Sequence, residues 1–310
     1  MKLYPILLRP IFKKMIWGSE SWEITCRPDE MGIIENGPAA GEAFAHYIGR
    51  NSSGVLGTRF GPESRFPLLV KIIDAKERLS VQVHPTDAYA KAKGETDSGK
   101  SEMWYIIKPP ECGFLIIGLK PSVTRESLAA AYKNGTVESC LNRLRVREGD
   151  IVNIPAGLVH AITAGTIVAE IQQNSDITYR LYDYNRTDDQ GKTRPLHIED
   201  ALAVSDYEGK IPKTAASAIE TTKIGANLLT RVISDEYFDI KKYELSGPLN
   251  ESSNRSEFAI FTCVEGDAVI EAEGISVEIP MGRSVFLPAA LGSYTIRPKD
   301  KLAVLLKCNP

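Results

Sequence analysis

A chain of 310 residues with 43% hydrophobic and 25% charged residues has the balance of a soluble globular protein, and the length of one large β domain or two ordinary ones. Its net charge of -3, with no basic stripe, argues against nucleic acid or an anionic membrane as the main partner. The five cysteines, Cys26, Cys112, Cys140, Cys263 and Cys308, lie far apart with no CxxC pair, which argues against a disulfide framework and a cysteine zinc site. No run approaches the roughly 20 apolar residues of a membrane span. The apolar patch from Tyr4 to Leu8 is soon ended by Arg9, Pro10 and two lysines, too short for a secretory segment. A cytoplasmic protein with reduced thiols is the expectation.

Residues 1–60 read as mixed strands and loops. Trp17 and Trp22 stand close together beside glycine and acidic groups, either as core packing with a turn or as a substrate-facing wall. Apolar runs predict strands over 66–73, 79–83, 103–107 and 114–119. A helical insertion follows at about 121–144. Its first helix has Thr124 as cap, Glu126 in the first turn and Asn134-Gly135 as stop, and a second short helix is expected over 137–144. A turn, a strand and a tight turn then lead to His160. A strand pair is expected over 166–184, a polar loop over 185–195 and a helix over 198–205; residues 206–226 read as a linker or a return crossing.

From about residue 227 strand follows strand, and an earlier pattern recurs. Gly149, Pro155 and His160 match Gly282, Pro288 and Ser293 at an offset of 133, while Ser101-Glu102-Met103 matches Ser256-Glu257-Phe258 at an offset of 155. The offsets differ by 22, the length of the segment from Ser122 to Arg143. One β module therefore occurs twice, and only the first copy carries the helical insert. The expected division is 1–226 for the first module and 227–310 for the second. The second has Ser293 in place of His160, so it is expected to bind no metal.

Ligand-type groups gather in the first module. Gln82 and His84 are two apart, so on a strand they project to one face, and Pro85 ends that strand. Glu102 opens an apolar strand and His160 follows a tight turn. Two imidazoles and a carboxylate suit non-haem iron or zinc with an open position. A fourth ligand, the Gln82 oxygen, tilts the choice toward Lewis-acid chemistry on an oxygen-rich substrate. Lys100 is two residues from Glu102, so on a strand it would share that face. Glu170 and Arg180 are either a structural ion pair or groups of the site. An inward lysine and arginine near a metal suit a phosphate or an enediolate. His46 and His197 are read as structural.

The segments LSVQVHPTD, GKSEMWYII, PAGLVHAI and EIQQNSDITYRLYDYNR occur in this order. They resemble the metal-site and active-site segments of type I mannose-6-phosphate isomerases in their shorter bacterial form, over a stretch from about Pro5 to the C-terminus. The resemblance implies a mainly β fold of two cupin (jelly-roll-like) β-barrel modules. It also implies one Zn2+ per chain, other divalent metals being possible, and interconversion of mannose 6-phosphate and fructose 6-phosphate through a cis-enediol. By position, Gln82, His84, Glu102 and His160 match the metal ligands and Arg180 the catalytic arginine. Glu170 and Lys100 match acid/base and phosphate-side candidates, and Ser80 and Asp176 line the same pocket, with Trp17 as a further candidate contact. Glu170 is the first choice of base, with Lys100 or a water on the metal as alternatives; Lys100, helped by Ser80, is expected to hold the phosphate. Ile162 stands where longer members have a tyrosine, and the helical section is reduced. The partner implied is a small hexose phosphate. The rival functions are an iron-dependent cupin oxygenase and a non-catalytic sugar-phosphate-binding cupin.

Overall fold

The computed structural model describes residues 2–61, 63–188, 190–209 and 219–310, and among them the chain is mainly β. The weakly patterned stretch 206–226 lies partly outside the described residues; within it, Glu220–Ile224 is a strand.

Contacts divide the chain into two compact units: the described residues of Met1–Phe12, Ser21–Ile72 and Ser217–Pro310, and those of Lys13–Glu20 and Ile73–Ala216. The expected division at 226 differs from this, because residues 1–12 and 21–72 pack with the C-terminal strands. Ile6 and Leu7 pair antiparallel with Phe286 and Val285. Phe44, Phe66, Phe258 and Phe286 pack ring against ring at 5.0 to 5.4 Å. Buried aromatic pairs of this kind tie distant segments together more strongly than sequence order suggests.

The first unit holds a nine-stranded antiparallel sheet, built on the long strands Ala259–Ala272 and Ser293–Asn309, which pair with each other. Its core collects Leu245, Phe261, Ile270, Ile279, Ile296 and Leu305. One half-buried polar cluster lies beside it. Glu251 accepts hydrogen bonds from Tyr243 (2.7 Å), Tyr294 (2.6 Å) and Lys307 (2.6 Å). Burial alone would raise the Glu251 pKa, but the Lys307 ammonium and the two hydroxyls outweigh it and hold it below the usual value. A carboxyl with a lowered folded pKa stabilises above its unfolded value and loses that contribution as pH falls through the folded one. Glu251→Gln is therefore expected to destabilise by about 2–3 kcal/mol at pH 7. The deficit should shrink as pH drops below about 4.5; urea denaturation of both proteins at pH 7 and pH 4 measures it.

The second unit has two sheets. One is five-stranded, in the order Tyr179–Tyr182, Val81–Val83, His160–Ala161, Phe114–Leu119, Leu141–Arg145. In the other, Thr166–Gln173 pairs with Glu102–Lys108, which pairs with Ile151–Ile154. One apolar cluster draws from both sheets, with Trp104, Ile106, Val152 and Val168 from one and Leu115 and Ile117 from the other. Alternate residues of the five-stranded sheet, Val81, Val83, Ile116, Ala161 and Leu181, join a separate cluster. That cluster includes Leu128 and Ala131 of the helix Arg125–Lys133 and Ala201 and Leu202 of the helix Ile198–Val204. The helical insert thus covers the outer face of the sheet that carries the histidines.

The first inserted helix starts as expected. Thr124 Oγ1 accepts the Ser127 N–H (3.2 Å) and Ser127 Oγ accepts the Thr124 N–H (2.8 Å), a reciprocal cap. The second differs. Val137–Cys140 is one 3-10 turn, and Leu141–Arg145 is an edge strand pairing with Phe114–Leu119. The sheet edge captures this segment because Leu141 and Leu144 find partners at Leu119 and Leu115.

The internal repeat has a structural counterpart. Gly149 and Gly282 both take left-handed backbone, φ 82° and 85°, where other residues are strained. The turn closed by Leu158 N–H to Pro155 O (3.1 Å) recurs as Leu291 N–H to Pro288 O (3.0 Å). At the position matching His160, the Ser293 hydroxyl lies 3.1 Å from that of Ser252.

Candidate metal centre

The site is assembled by strand register. His160 lies opposite Gln82 on one side and Ile117 on the other, and Gln82 lies opposite Arg180. Arg180, Gln82 and His160 therefore form one lateral row, whose side chains share a face of the five-stranded sheet. In the second sheet Glu102 lies opposite Gln172, and Trp104 opposite Glu170, so these four share one face as well. His84 sits just past the end of Val81–Val83, as the following proline requires.

His84, Glu102 and His160 are all buried, and one donor atom from each lies within 4.8 Å of the others. His84 Nε2 is 3.3 Å from one Glu102 oxygen and His160 Nε2 is 3.5 Å from the other. The Gln82 amide is 3.3 Å from His160 Nε2. Donors arranged tetrahedrally at bonds of about 2.0–2.2 Å stand about 3.3–3.6 Å apart, so the spacing fits a zinc-sized cation.

The tautomers fit too. His84 Nδ1 lies 2.8 Å from the carbonyl of Ile177, and His160 Nδ1 lies 2.8 Å from that of Leu158. A carbonyl only accepts, so each Nδ1 carries the proton and each Nε2 turns a lone pair to the centre. Burial lowers both imidazole pKa values, with Lys100 adding to the effect at His84, which falls to about 3. Both rings are therefore neutral at pH 7. Gln82 presents its Nε2 to His160 here; a half-turn of the amide exchanges it for the carbonyl oxygen.

Glu102 has both oxygens buried without a hydrogen bond of normal geometry. Desolvation would raise its pKa, yet the Lys100 ammonium outweighs it and holds the carboxyl well below the usual range, so it is ionised. A buried, ionised carboxylate facing two imidazole lone pairs is a donor set that a cation completes.

Lys100 is where chemistry and expectation part. It is not on a strand, because Glu102–Lys108 begins two residues later. It nonetheless reaches the centre from its loop, with Nζ 2.8 Å from Glu102 and 3.3 Å from His84 Nε2. Burial would depress its pKa; Glu102 and Glu170 outweigh that and raise it, so the ammonium stays charged. Ser80 takes its hydrogen bond from Arg180 Nε (3.2 Å). Arg180 also donates to the Pro195 carbonyl (2.8 Å), and burial, followed by the nearby Arg194, lowers its pKa.

Glu170 is buried and accepts from Trp104 Nε1 at 2.9 Å. Asp176 is exposed, its N–H donating to Asp97 (3.0 Å). Trp17 is 3% exposed and belongs to the apolar cluster that holds Ile73, Ala75, Leu79 and Trp104. Of the two remaining histidines, His46 pairs with Glu42 (3.1 Å), and His197 Nδ1 accepts the Arg180 backbone N–H (3.2 Å). Sequence reasoning missed Trp104, whose ring also stands edge-on to His160 at 5.3 Å. Its place four residues before Lys108 in an apolar run looks like plain core; only the pairing with Glu170 reveals the role.

Fold and site together define a mainly β protein with a buried two-histidine, one-carboxylate centre set beside a lysine and an arginine. Residues 227–306 match the family model described as the mannose-6-phosphate isomerase cupin domain, and residues 8–111 the type I phosphomannose isomerase catalytic domain. Mannose-6-phosphate isomerase ManA of Bacillus subtilis (strain 168) is 33% identical over 316 residues, 96% of each chain. The crystal structure of the mannose 6-phosphate isomerase from Bacillus subtilis superposes with a TM-score of 0.87 at 30% identity, covering 98% of this chain and 99% of that one. A mannose 6-phosphate isomerase solved with zinc and yttrium shares the fold at a TM-score of 0.72 and 16% identity, covering 98% of this chain and 99% of that one. The chain belongs to the type I phosphomannose isomerase family.

Proposed function

We propose that this protein is a metal-dependent aldose-ketose isomerase that interconverts mannose 6-phosphate and fructose 6-phosphate. Family membership carries the substrate, and the three buried donors, gathered within 4.8 Å of one another, carry the metal dependence. Zinc is the metal this donor set suits, and it would be held by His84, Glu102, His160 and the Gln82 oxygen. When bound, it supplies Lewis-acid polarisation of the sugar's C1 and C2 oxygens.

The protein's own groups do the rest. Glu170 removes the proton from C2 of the aldose and returns it to C1 of the cis-enediol, giving the ketose. Trp104 Nε1–H holds the Glu170 carboxylate in place. Lys100 lies among the metal-ligand atoms, so it serves the reacting end of the sugar, where its ammonium exchanges protons with the two sugar oxygens. That differs from a phosphate-holding role. Arg180, in the row with Gln82 and His160, stabilises the enediolate charge. Ser80, bonded to Arg180, would face the phosphate, with Arg186 and Arg194, which lie near Arg180 and pair with Asp183, adding positive field. No described helix is long and apolar enough to cross a membrane, and a cytoplasmic location suits a sugar-phosphate substrate.

A coupled assay tests this reading. Mannose 6-phosphate should give fructose 6-phosphate with no oxygen consumed. Oxygen uptake on turnover would point to an oxygenase, and bound sugar phosphate without turnover to a non-catalytic cupin.

A further inference from the structure

We infer that Asp87 and Gln173 are positioning residues that fix Lys100 at the metal centre; the inference rests on the isomerase reading above. Lys100 stands on a loop and not on a strand, yet its side chain is almost fully buried and its ammonium meets two of the ligand residues. A lysine has four rotatable bonds, and holding its tip demands a fixed backbone.

That backbone is tied at three consecutive N–H groups. Gly99 N–H donates to Asp87 Oδ1 (2.7 Å), Lys100 N–H to the Pro85 carbonyl (3.0 Å), and Ser101 N–H to Gln173 Oε1 (2.7 Å). The two side-chain acceptors are joined, since Gln173 Nε2 donates to Asp87 Oδ1 at 3.2 Å. Gln173 N–H also returns to the Ser101 carbonyl (3.0 Å). One end of this clamp adjoins His84 through Pro85, and the other lies three residues past Glu170. The loop runs so close to Pro85, Thr86 and Asp87 that a Cβ at position 99 would meet Asp87 N at 2.4 Å. Only glycine admits that approach, and the approach is what brings the next residue to the centre.

The Asp87 and Gln173 acceptors are both spent on the backbone flanking Lys100, so their effect runs through Lys100. A displacement of the order of 1 Å at a reacting group costs about 100-fold, and outer-shell partners typically about 10- to 100-fold. Asp87→Ala and Gln173→Ala should each lower kcat about 10- to 100-fold with KM and bound metal little changed. Asp87→Asn keeps an oxygen acceptor and should restore kcat to within about 3-fold of the parent.

The deciding experiment is a double-mutant cycle with Lys100→Met, reading kcat, KM and metal content. If Asp87 acts through Lys100, Asp87→Ala costs less than about 2-fold in the Lys100→Met background. Equal losses in both backgrounds would overturn the inference, as would an Asp87→Asn variant as poor as Asp87→Ala. Gln173→Ala repeats the cycle should Asp87→Ala fail to fold. A parent protein with no isomerase activity would instead sink the functional reading, before any variant is compared.

Discussion

His160→Ala should lose tightly bound metal and lower kcat/KM by a factor on the order of 1000 or more. His160 is the residue on which most of the centre converges. Its Nε2 lies 3.5 Å from Glu102 and 3.3 Å from the Gln82 amide, and its Nδ1 is fixed by the Leu158 carbonyl. Its removal takes away one of the donors that would hold the metal. The ring is also packed against Trp104, so the alanine variant loses some stability through a cavity. His160→Gln, nearer in volume, separates the two effects. It should keep more of the stability while still binding metal poorly. Full metal content in both variants would show that His160 is a core histidine and not a ligand.

Arg180→Ala should lower kcat about 100- to 1000-fold with a smaller change in KM. The charge it meets develops only in the enediolate, so the interaction is stronger in the transition state than with bound sugar. The guanidinium is poised for this: its Nε is spent on Ser80 and one terminal nitrogen on the Pro195 carbonyl, which fix the plane of the group. Arg180→Lys keeps the charge without the planar fork and should recover only part of the loss. A rise in KM alone would move Arg180 to the phosphate end, where Ser80 already lies beside it.

The ligand residues were legible in the sequence because their chemistry is local. The spacing of Gln82 and His84, the stop at Pro85, and the turn before His160 each state a direction in the chain, and register then brings them together. The repeat was legible for the same reason, since Gly149 and Gly282 mark turns that few other residues can make. What depended on pairing was harder to see. Leu141–Arg145 has residues that suit a helix, and only the open edge at Phe114–Leu119 makes it a strand. The first 72 residues carry no mark that Ile6 will pair with, and Phe66 pack against, Phe286, more than 200 residues away. Lys100 does not share a strand face with Glu102; it reaches the centre from a loop whose backbone is held by Asp87, Pro85 and Gln173, an arrangement its sequence neighbours do not announce. Trp17 has the composition of a pocket wall and the burial of a core residue.

The central claim is that a metal held by His84, Glu102 and His160 makes this protein an isomerase. It is tested most directly by following fructose 6-phosphate formed from mannose 6-phosphate before and after exhaustive chelation, then after adding back Zn2+. Activity should fall to background on chelation and return at about one equivalent of metal per chain. An enzyme that stays fully active with no measurable metal would contradict it.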